Sequence, residues 1–195
     1  MPKRIDAEAR TEQIAAAALR VLERDGLAAL SVRGVAAEAG IAAASLRRAF
    51  PTQQALRVYC FELIEARATA RIRSLELSGR ALVDGMLAEL LPLDAERRSE
   101  LVAQVQLGVL ALTDEALRPA ARSLSDGVDR VCRFALDILV AEGRFAASRD
   151  VEHEARRLRA VLDGIALHAL WTGDAAPSAQ MLDTLAGHLD ELARP

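Results

Sequence analysis

The sequence is poor in aromatic residues, cysteine and histidine. Of its 195 residues only 3% are aromatic, two are cysteine and three are histidine. Cys60 and Cys132 lie far apart within helical patterns, and their spacing suits neither a metal site nor a disulfide framework. We therefore expect buried free thiols, no metal ion, no cofactor and few stacking partners for a flat aromatic ligand.

Catalytic motifs are also missing. His153, His168 and His188 are scattered along the chain. His153-Glu154 begins like the zinc-protease motif, but Arg157 stands where the second histidine is needed. No glycine-rich phosphate loop and no Gly-x-Ser-x-Gly elbow occurs. A helical enzyme would need a catalytic constellation that this sequence does not contain, so we predict no catalytic residues.

Long apolar runs are absent, although 52% of the residues are hydrophobic. No run approaches the roughly 20 residues that span a bilayer. The N-terminus, residues 1–6, lacks the apolar core of a secretory signal. The hydrophobic content is well above that of disordered chains. These features predict a cytoplasmic globular protein with no membrane partner.

The charge is unevenly distributed within a formal net charge of −3. Residues 1–57 hold nine Lys/Arg and six Asp/Glu, a net charge of +3, whereas residues 58–195 hold sixteen and twenty-two, a net charge of −6. A basic surplus is what neutralisation of nucleic-acid phosphates requires. Lys3 is the only lysine, and such arginine and alanine usage is typical of a GC-rich genome rather than of one function.

Residues 31–56 predict two short helices joined by a tight turn. Ser31 is a natural N-cap, and Gly40 suits the left-handed backbone at the end of a helix. Leu46 and Phe50, four residues apart, give the second helix an inner face, and Pro51 ends it. The first helix carries an apolar stripe at helical spacing: Val32, Val35, Ala36 and Ala39. This pattern favours a helix-turn-helix.

The second helix of this pair leaves Ala44, Ser45, Arg47 and Arg48 on its outer side. Small residues allow the backbone to approach DNA, and an arginine could bind phosphate or, bidentately, the O6 and N7 atoms of guanine. Two alternatives remain open. Helical hairpins with a glycine turn often bind nothing, and an arginine pair is often only solvated surface.

From residue 10 to residue 63 the chain resembles the DNA-binding domain of the TetR family of transcriptional regulators. Residues 31–36 match the family's Ser/Thr-Val-Arg-x-Val-Ala start of the second helix. Residues 39–53 match its Ala-Gly-Val-Ser-x-Gly-Ser-Leu-Tyr-x-His-Phe-x-x-Lys segment with departures at Ala42, Ala44, Arg47, Ala49 and Gln53. The first-helix pattern is carried by Ile14, Ala17, Ala18, Val21 and Leu22, followed by Asp25-Gly26-Leu27. The departures resemble a BetI-like branch of the family.

The resemblance implies a set of DNA-binding residues. Arg33, Ser45, Arg47 and Arg48 are expected to make the polar contacts, and in the family the position of Arg33 can reach a base edge. Ala43 and Ala44 are expected to lie against the groove, and Ser31 and Gln53 to hold the DNA backbone. Lys3 and Arg4 could form a basic arm or serve no such role. Arg47→Ala is expected to weaken operator binding.

The whole chain reads as helix, with short breaks. We predict an all-α fold of about nine helices. An N-terminal three-helix domain, residues 1–52, would carry the helix-turn-helix at about 31–50, and residues 53–195 would form a helical effector-binding and dimerisation domain. We expect the long helix after Gln53 to run towards Ser78-Gly79. Pro119 could stand near a helix start or mark a break.

The penultimate predicted helix carries an apolar stripe wider than one neighbour requires, and the last predicted helix adds a second stripe. The stripe of the penultimate helix consists of Leu158, Val161, Leu162, Ile165, Ala166, Ala169 and Leu170, and that of the last helix of Met181, Leu182, Leu185 and Leu189. With Gly164 and Ala166 allowing close approach, two copies would form a four-helix interface. The alternative is that both helices pack only on their own core. Residues 159–170 also resemble a segment of BetI-like C-terminal domains.

These features predict a ligand-responsive transcriptional regulator, more often a repressor in this family, that binds a palindromic DNA operator as a homodimer. A small-molecule effector, of unknown identity, would change the separation of the two DNA-binding heads. We expect helices between about residues 80 and 145 to enclose its pocket. The candidate polar or aromatic residues lining this pocket, each of which could equally be an ordinary core or surface residue, are Tyr59, Gln104, Gln106, Phe134 and His168. The competing hypothesis is an all-helical ligand-binding or adaptor protein that no longer binds DNA.

Overall fold

A computed structural model describes residues 2–26, 29–172 and 178–194, with side chains from Arg10 onward. This described part of the chain forms nine α-helices and contains no strand, as the all-α prediction required. The helices are α1 (Pro2–Asp25), α2 (Val32–Glu38), α3 (Ala43–Ala49), α4 (Gln53–Arg73), α5 (Gly79–Ala88), α6 (Ala95–Ala111), α7 (Arg118–Ala141), α8 (Val151–Thr172) and α9 (Ser178–Glu191). A short 3-10 turn, Glu115–Leu117, precedes α7.

Helices α2 and α3 lie within the predicted helix-turn-helix at about 31–50, whereas α4 is shorter than expected. It ends at Arg73 instead of continuing towards Ser78-Gly79, and the Ser74 hydroxyl, directly after the helix, donates to the Arg71 carbonyl at 2.8 Å. Pro119 is the second residue of α7, where its missing amide has no helical partner to lose. Gly173 and Pro177 favour a loop between the last two predicted helices, and residues 173–177 lie outside the described part of the chain.

The chain divides into two compact units. Unit 1 comprises Met1–Glu65 with Ser99–Leu124, and unit 2 comprises Ala66–Arg98 with Ser125–Pro195. The core of unit 1 combines α1, α2 and α3 with the first half of α4 and most of α6. Its largest fully buried side chains are Phe61, Leu22, Leu30, Leu46, Leu56, Leu107 and Leu117. The helix-turn-helix is therefore supported by residues that follow it far along the sequence.

This division is not the one expected from the sequence, where residues 1–52 and 53–195 formed the two domains. Leu56, Cys60 and Phe61 of α4 are buried in the core of unit 1, because the apolar faces of α1–α3 need a fourth helix to cover them. The compact units follow packing, whereas the expected boundary concerned function. The boundary at residues 52/53 therefore stays a prediction.

Unit 2 has buried apolar residues of its own on α5, α7, α8 and α9. The largest fully buried ones are Leu87, Leu136, Leu139 and Leu158, together with Leu91, which follows α5. Cys132 of this unit and Cys60 of unit 1 are free and buried, as expected, and burial raises the pKa of each thiol to about 12. No described helix is both long enough and apolar enough to cross a membrane.

The turn between α2 and α3 generates a test of backbone strain. Gly40 has φ of +66°, and a Cβ added there would meet nothing within 4 Å. Gly40→Ala should therefore lower the free energy of unfolding by about 1 kcal/mol, through the left-handed backbone and not through a clash. The measurement is urea denaturation at fixed protein concentration.

Gly108 in α6 provides the matched control, because an added Cβ there also has open space and the backbone φ is not positive. Gly108→Ala should raise the free energy of unfolding by roughly 0.5–1 kcal/mol, because alanine favours helix over glycine. Equal effects of the two substitutions, in sign and size, would contradict this account of Gly40.

Candidate nucleic-acid interface

Ser31 fixes where α2 begins. Its backbone is extended (φ −135°, ψ 157°), and its hydroxyl oxygen accepts a hydrogen bond from the Gly34 amide at 3.0 Å. A Cβ added to Gly34 would lie 2.7 Å from the carbonyl oxygen of Ala29. Glycine therefore allows the first turn of α2 to pack against the preceding chain, and the predicted N-cap is confirmed.

Helix α1 holds the other end of α2 through three side chains. Gln13 Nε2 donates to the Ala39 carbonyl at 2.6 Å. Arg20 Nε and Arg24 Nη1 donate to the two carboxylate oxygens of Glu38 at 2.8 and 2.9 Å. These bonds hold the end of α2 immediately before the Gly40 turn, so they set the position from which α3 departs.

Helix α3 is held by its inner face and by its C-terminal end. Ala42, at its N-cap, makes no side-chain capping bond, as expected from the missing hydroxyl. Leu46 is completely buried. The ring of Phe50, which follows the helix, lies 4.8 Å from the ring of Tyr59 on α4. Packing against α4 thus compensates for the uncapped start of this seven-residue helix.

The outer side of the helix-turn-helix carries exposed arginines. Arg33 on α2 and Arg47 and Arg48 on α3 are exposed, and within the described residues none of them forms an ion pair. Ala44 is exposed between them and Ser45 is half-buried. A guanidinium has five N–H donors and no acceptor, so this surface can bind phosphate or the acceptor edge of a base.

Three other predicted contacts have partners within the protein. The Ser31 hydroxyl caps α2. Gln53 Nε2 donates to the carbonyl of Leu30 at 2.8 Å. Ala43 packs against the core of unit 1, because it lies beside Leu46 on the inner side of α3. Their roles in holding DNA stay predictions, and the outward surface of α3 begins at Ala44.

The structure does not gather the five predicted effector residues in one compact unit. Tyr59, Gln104 and Gln106 belong to unit 1, whereas Phe134 and His168 belong to unit 2 and are exposed. The ring of Tyr59 packs against that of Phe50 at an interplanar angle of 49°, and Gln106 Nε2 donates to the Leu22 carbonyl at 3.2 Å. An effector role for any of them stays a prediction. No cluster of His, Cys, Asp or Glu suited to a metal ion occurs in the described ranges.

Sequence reasoning missed the residues that position the interface. Gln13, Arg20, Arg24 and Glu38 look like ordinary polar surface in the sequence, and Arg20 and Glu38 are eighteen residues apart. Their pairing depends on how α1 and α2 cross. The sequence does show that Arg20 and Arg24 are four residues apart and so share one helical face, but this spacing does not identify Glu38 as the carboxylate they bind.

The all-helical fold and its outward, arginine-bearing helix-turn-helix define a DNA-binding transcriptional regulator. Residues 14–60 match the family described as bacterial regulatory proteins, tetR family, and residues 79–194 match the BetI-type transcriptional repressor C-terminal family. The chain therefore belongs to the TetR family, in its BetI-like branch. Members of this family are DNA-binding regulators and not enzymes.

One relative supports this assignment, and two solved structures share the fold. The HTH-type transcriptional regulator PksA of Bacillus subtilis is 32% identical over 173 residues, which cover 87% of this chain and 83% of PksA. A TetR transcription regulator from Haloarcula marismortui has a similar structure, with a TM-score of 0.81, 24% identity and coverage of 95% of this chain and 98% of that one. The multidrug binding protein EbrR, complexed with ethidium, has a TM-score of 0.61, 27% identity and coverage of 92% and 98%.

The bonds between α1 and α2 predict a pH-dependent contribution to stability. Hydrogen bonds from Arg20 and then Arg24 lower the pKa of Glu38. Because the folded pKa is lowered, the stabilisation is complete above the ordinary glutamate value of 4.5 and is lost as the pH falls through the folded pKa. Glu38→Gln should lower the urea midpoint at neutral pH, and the difference from the parent protein should shrink in acid.

Glu62→Gln is the control, because Glu62 is an exposed glutamate on α4 for which no ion pair occurs in the described residues. This substitution should leave the urea midpoint unchanged at both pH values. A Glu38→Gln deficit that stays constant from neutral pH into acid would show that the carboxylate charge is not what stabilises the end of α2.

Proposed function

We propose that this regulator is a repressor that binds a near-palindromic operator as a homodimer and is released by a small-molecule effector. The observation that carries the proposal is the outward face of the helix-turn-helix. Its exposed arginines have no carboxylate partner in the described chain, while other arginines nearby, such as Arg20 and Arg24, are paired. Unpaired guanidinium groups on a rigidly held helix favour an anionic partner.

In this proposal Arg33, Ser45, Arg47 and Arg48 make the polar DNA contacts. Ala44, with Ala43 at its side, lets the backbone of α3 approach the groove. Ser31 and Gln53, whose side chains are bonded within the protein, contact the DNA backbone through their remaining donor and acceptor capacity.

The surface of α8 and α9 supports self-association. Gly164, His168 and Trp171 lie on one face of α8 at helical spacing and are exposed, and Trp171 is 80% exposed. Leu182 of α9 is 39% exposed, and a Cβ added at Gly164 would meet nothing within 4 Å. A large apolar side chain beside open space on a helix is suited to a partner helix. Ala166, in contrast, is buried within its own chain.

The operator symmetry follows from the dimer. Two copies related by a two-fold axis would present two α3 helices to successive major grooves, about 34 Å apart. An effector that changes this distance changes the affinity for DNA. Because DNA is the target, we expect the protein to act in the cytoplasm.

The effector is proposed to bind among the helices between residues 80 and 145. EbrR, which shares this fold, is complexed with ethidium, a planar cation. This chain has few aromatic residues to stack on such a ring, so its own effector is expected to depend on other contacts. Tyr59, Gln104, Gln106, Phe134 and His168 stay the candidate contacts.

Sequencing the genomic DNA retained by the purified protein tests the proposed function. We expect enrichment of a near-palindromic site and binding that weakens steeply as salt rises, because arginine–phosphate contacts release counterions. A non-palindromic decoy duplex of equal length is the control. Absence of any enriched site would favour the alternative of a helical ligand-binding or adaptor protein.

The proposed interface predicts the effect of a charge on α9. Leu182→Asp should convert the dimer to a monomer in sedimentation experiments and reduce operator affinity, because a buried unpaired carboxylate is costly. Val109→Asp is the control, since Val109 is 62% exposed but lies on α6. If Val109→Asp gave monomers and Leu182→Asp stayed dimeric, the interface would have to lie elsewhere.

A further inference from the structure

The two adjacent arginines of α3 occupy different positions around the helix. Successive residues are separated by about 100° around an α-helix. Leu46, which is completely buried, marks the inner side. Measured around the helix axis, Arg48 and Ala44 each lie about 160° from Leu46, one on either side of the direction opposite Leu46. Arg47 lies only about 100° from Leu46.

The residues that pack on the core agree with this orientation of α3. Ala43 and Phe50, which pack against the core of unit 1, lie on the same side of the helix as Arg47. Arg47 is therefore on the flank of the exposed surface, next to the protein core. Arg48 is at the centre of that surface. Ala44, one turn before Arg48, has a small side chain that would not keep Arg48 from the base edges in a DNA groove.

The side chains available on this face restrict which base can be recognised. Adenine is read by Asn or Gln, and cytosine by Asp or Glu. The chain contains no asparagine, and α2 and α3 contain no glutamine. Glu38 is the only carboxylate of these two helices, and it is bonded to Arg20 and Arg24. Ser45 can bond to more than one base and Ala44 can contact a thymine methyl group, so arginine, which pairs bidentately with guanine, is the remaining side chain that recognises one base by a bidentate pair.

We propose that Arg48 binds the O6 and N7 atoms of a guanine in each half-site, and that Arg47 binds a phosphate. The central residue of a helix in the major groove faces the base edges, and a flanking residue faces the groove wall formed by the phosphate backbone. This inference rests on the proposed function, and it names the base that the site recognises. Arg48 is then a specificity-determining residue and Arg47 supplies affinity.

The test uses the full chain and duplexes selected by it from a randomised pool. Each guanine of the selected duplex is replaced in turn by 7-deazaguanine, which keeps Watson–Crick pairing but removes the N7 acceptor. Affinity is then measured for the parent protein, Arg48→Ala and Arg47→Ala. Both arginines are exposed and unpaired in the described chain, so both variants should melt at the parent temperature.

We expect one guanine in each half-site whose replacement weakens the binding of the parent protein about tenfold. Arg47→Ala should keep this sensitivity, bind all duplexes more weakly, and lower the salt dependence by about one counterion per protomer. Arg48→Ala should lose the sensitivity while its salt dependence stays close to that of the parent. Arg48→Lys, which cannot form the bidentate pair, should lose most of the sensitivity to 7-deazaguanine.

Three results would overturn the assignment: a parent protein indifferent to every replacement, sensitivity that persists in Arg48→Ala, or sensitivity lost in Arg47→Ala. In each of these cases the protein still binds the selected duplex, so the proposed function stands. A protein that enriches no duplex at all would overturn the proposed function, and the guanine contact with it.

Discussion

Neither α2 nor α3 can be stable by itself, and the rest of the structure follows from this constraint. Each has seven residues, whereas isolated helices shorter than about 12–15 residues are marginal in water. Their geometry must therefore come from neighbours. Helix α1 binds the end of α2 through Gln13 and two arginines, the start of α4 binds the chain before α2 through Gln53, and Leu46 is enclosed by the core. The DNA-binding surface formed by α2 and α3 is therefore held in place by residues of α1, of α4 and of the core, outside these two helices.

The distribution of ion pairs separates the paired arginines from those proposed to bind DNA. Arg20 and Arg24 share Glu38, and in unit 2 Arg71 and Arg97 share Glu89. Ion pairs that stay partly exposed to solvent contribute little each, but they withdraw the guanidinium groups from other partners. The arginines of the outward helix-turn-helix face have no such partner in the described chain. A protein with a net charge of −3 can thus keep a locally basic surface for DNA.

The same reasoning applies to the apolar surface of unit 2. Leu158 and Leu162 of α8 and Leu185 of α9 are buried within the chain. These residues pack on the core of their own chain, as one of the two expectations for these helices required. Trp171 and Leu182 are not covered in this way. The stripe of α8 thus packs on its own chain, and the exposed large apolar side chains of the two helices are Trp171, outside that stripe, and Leu182, within the stripe of α9. Helices α4, α6 and α7 contribute residues to both units, so that covalent continuity links the DNA-binding unit to the unit proposed to dimerise.

Local chemistry is what the sequence by itself determined: the Ser31 cap, the left-handed Gly40, the inner residues Leu46 and Phe50, the all-α fold and the family. Each depends on neighbours within a turn or two, where spacing fixes contact. The tertiary structure alone decided which helices share a core, that Glu38 meets Arg20 and Arg24, and that Tyr59 supports Phe50. It also showed that Ala43 packs on the core, which puts Arg47 on the flank of the exposed surface of α3 and Arg48 at its centre. Such contacts join residues far apart in sequence, and their distance depends on helix crossings that periodicity does not encode.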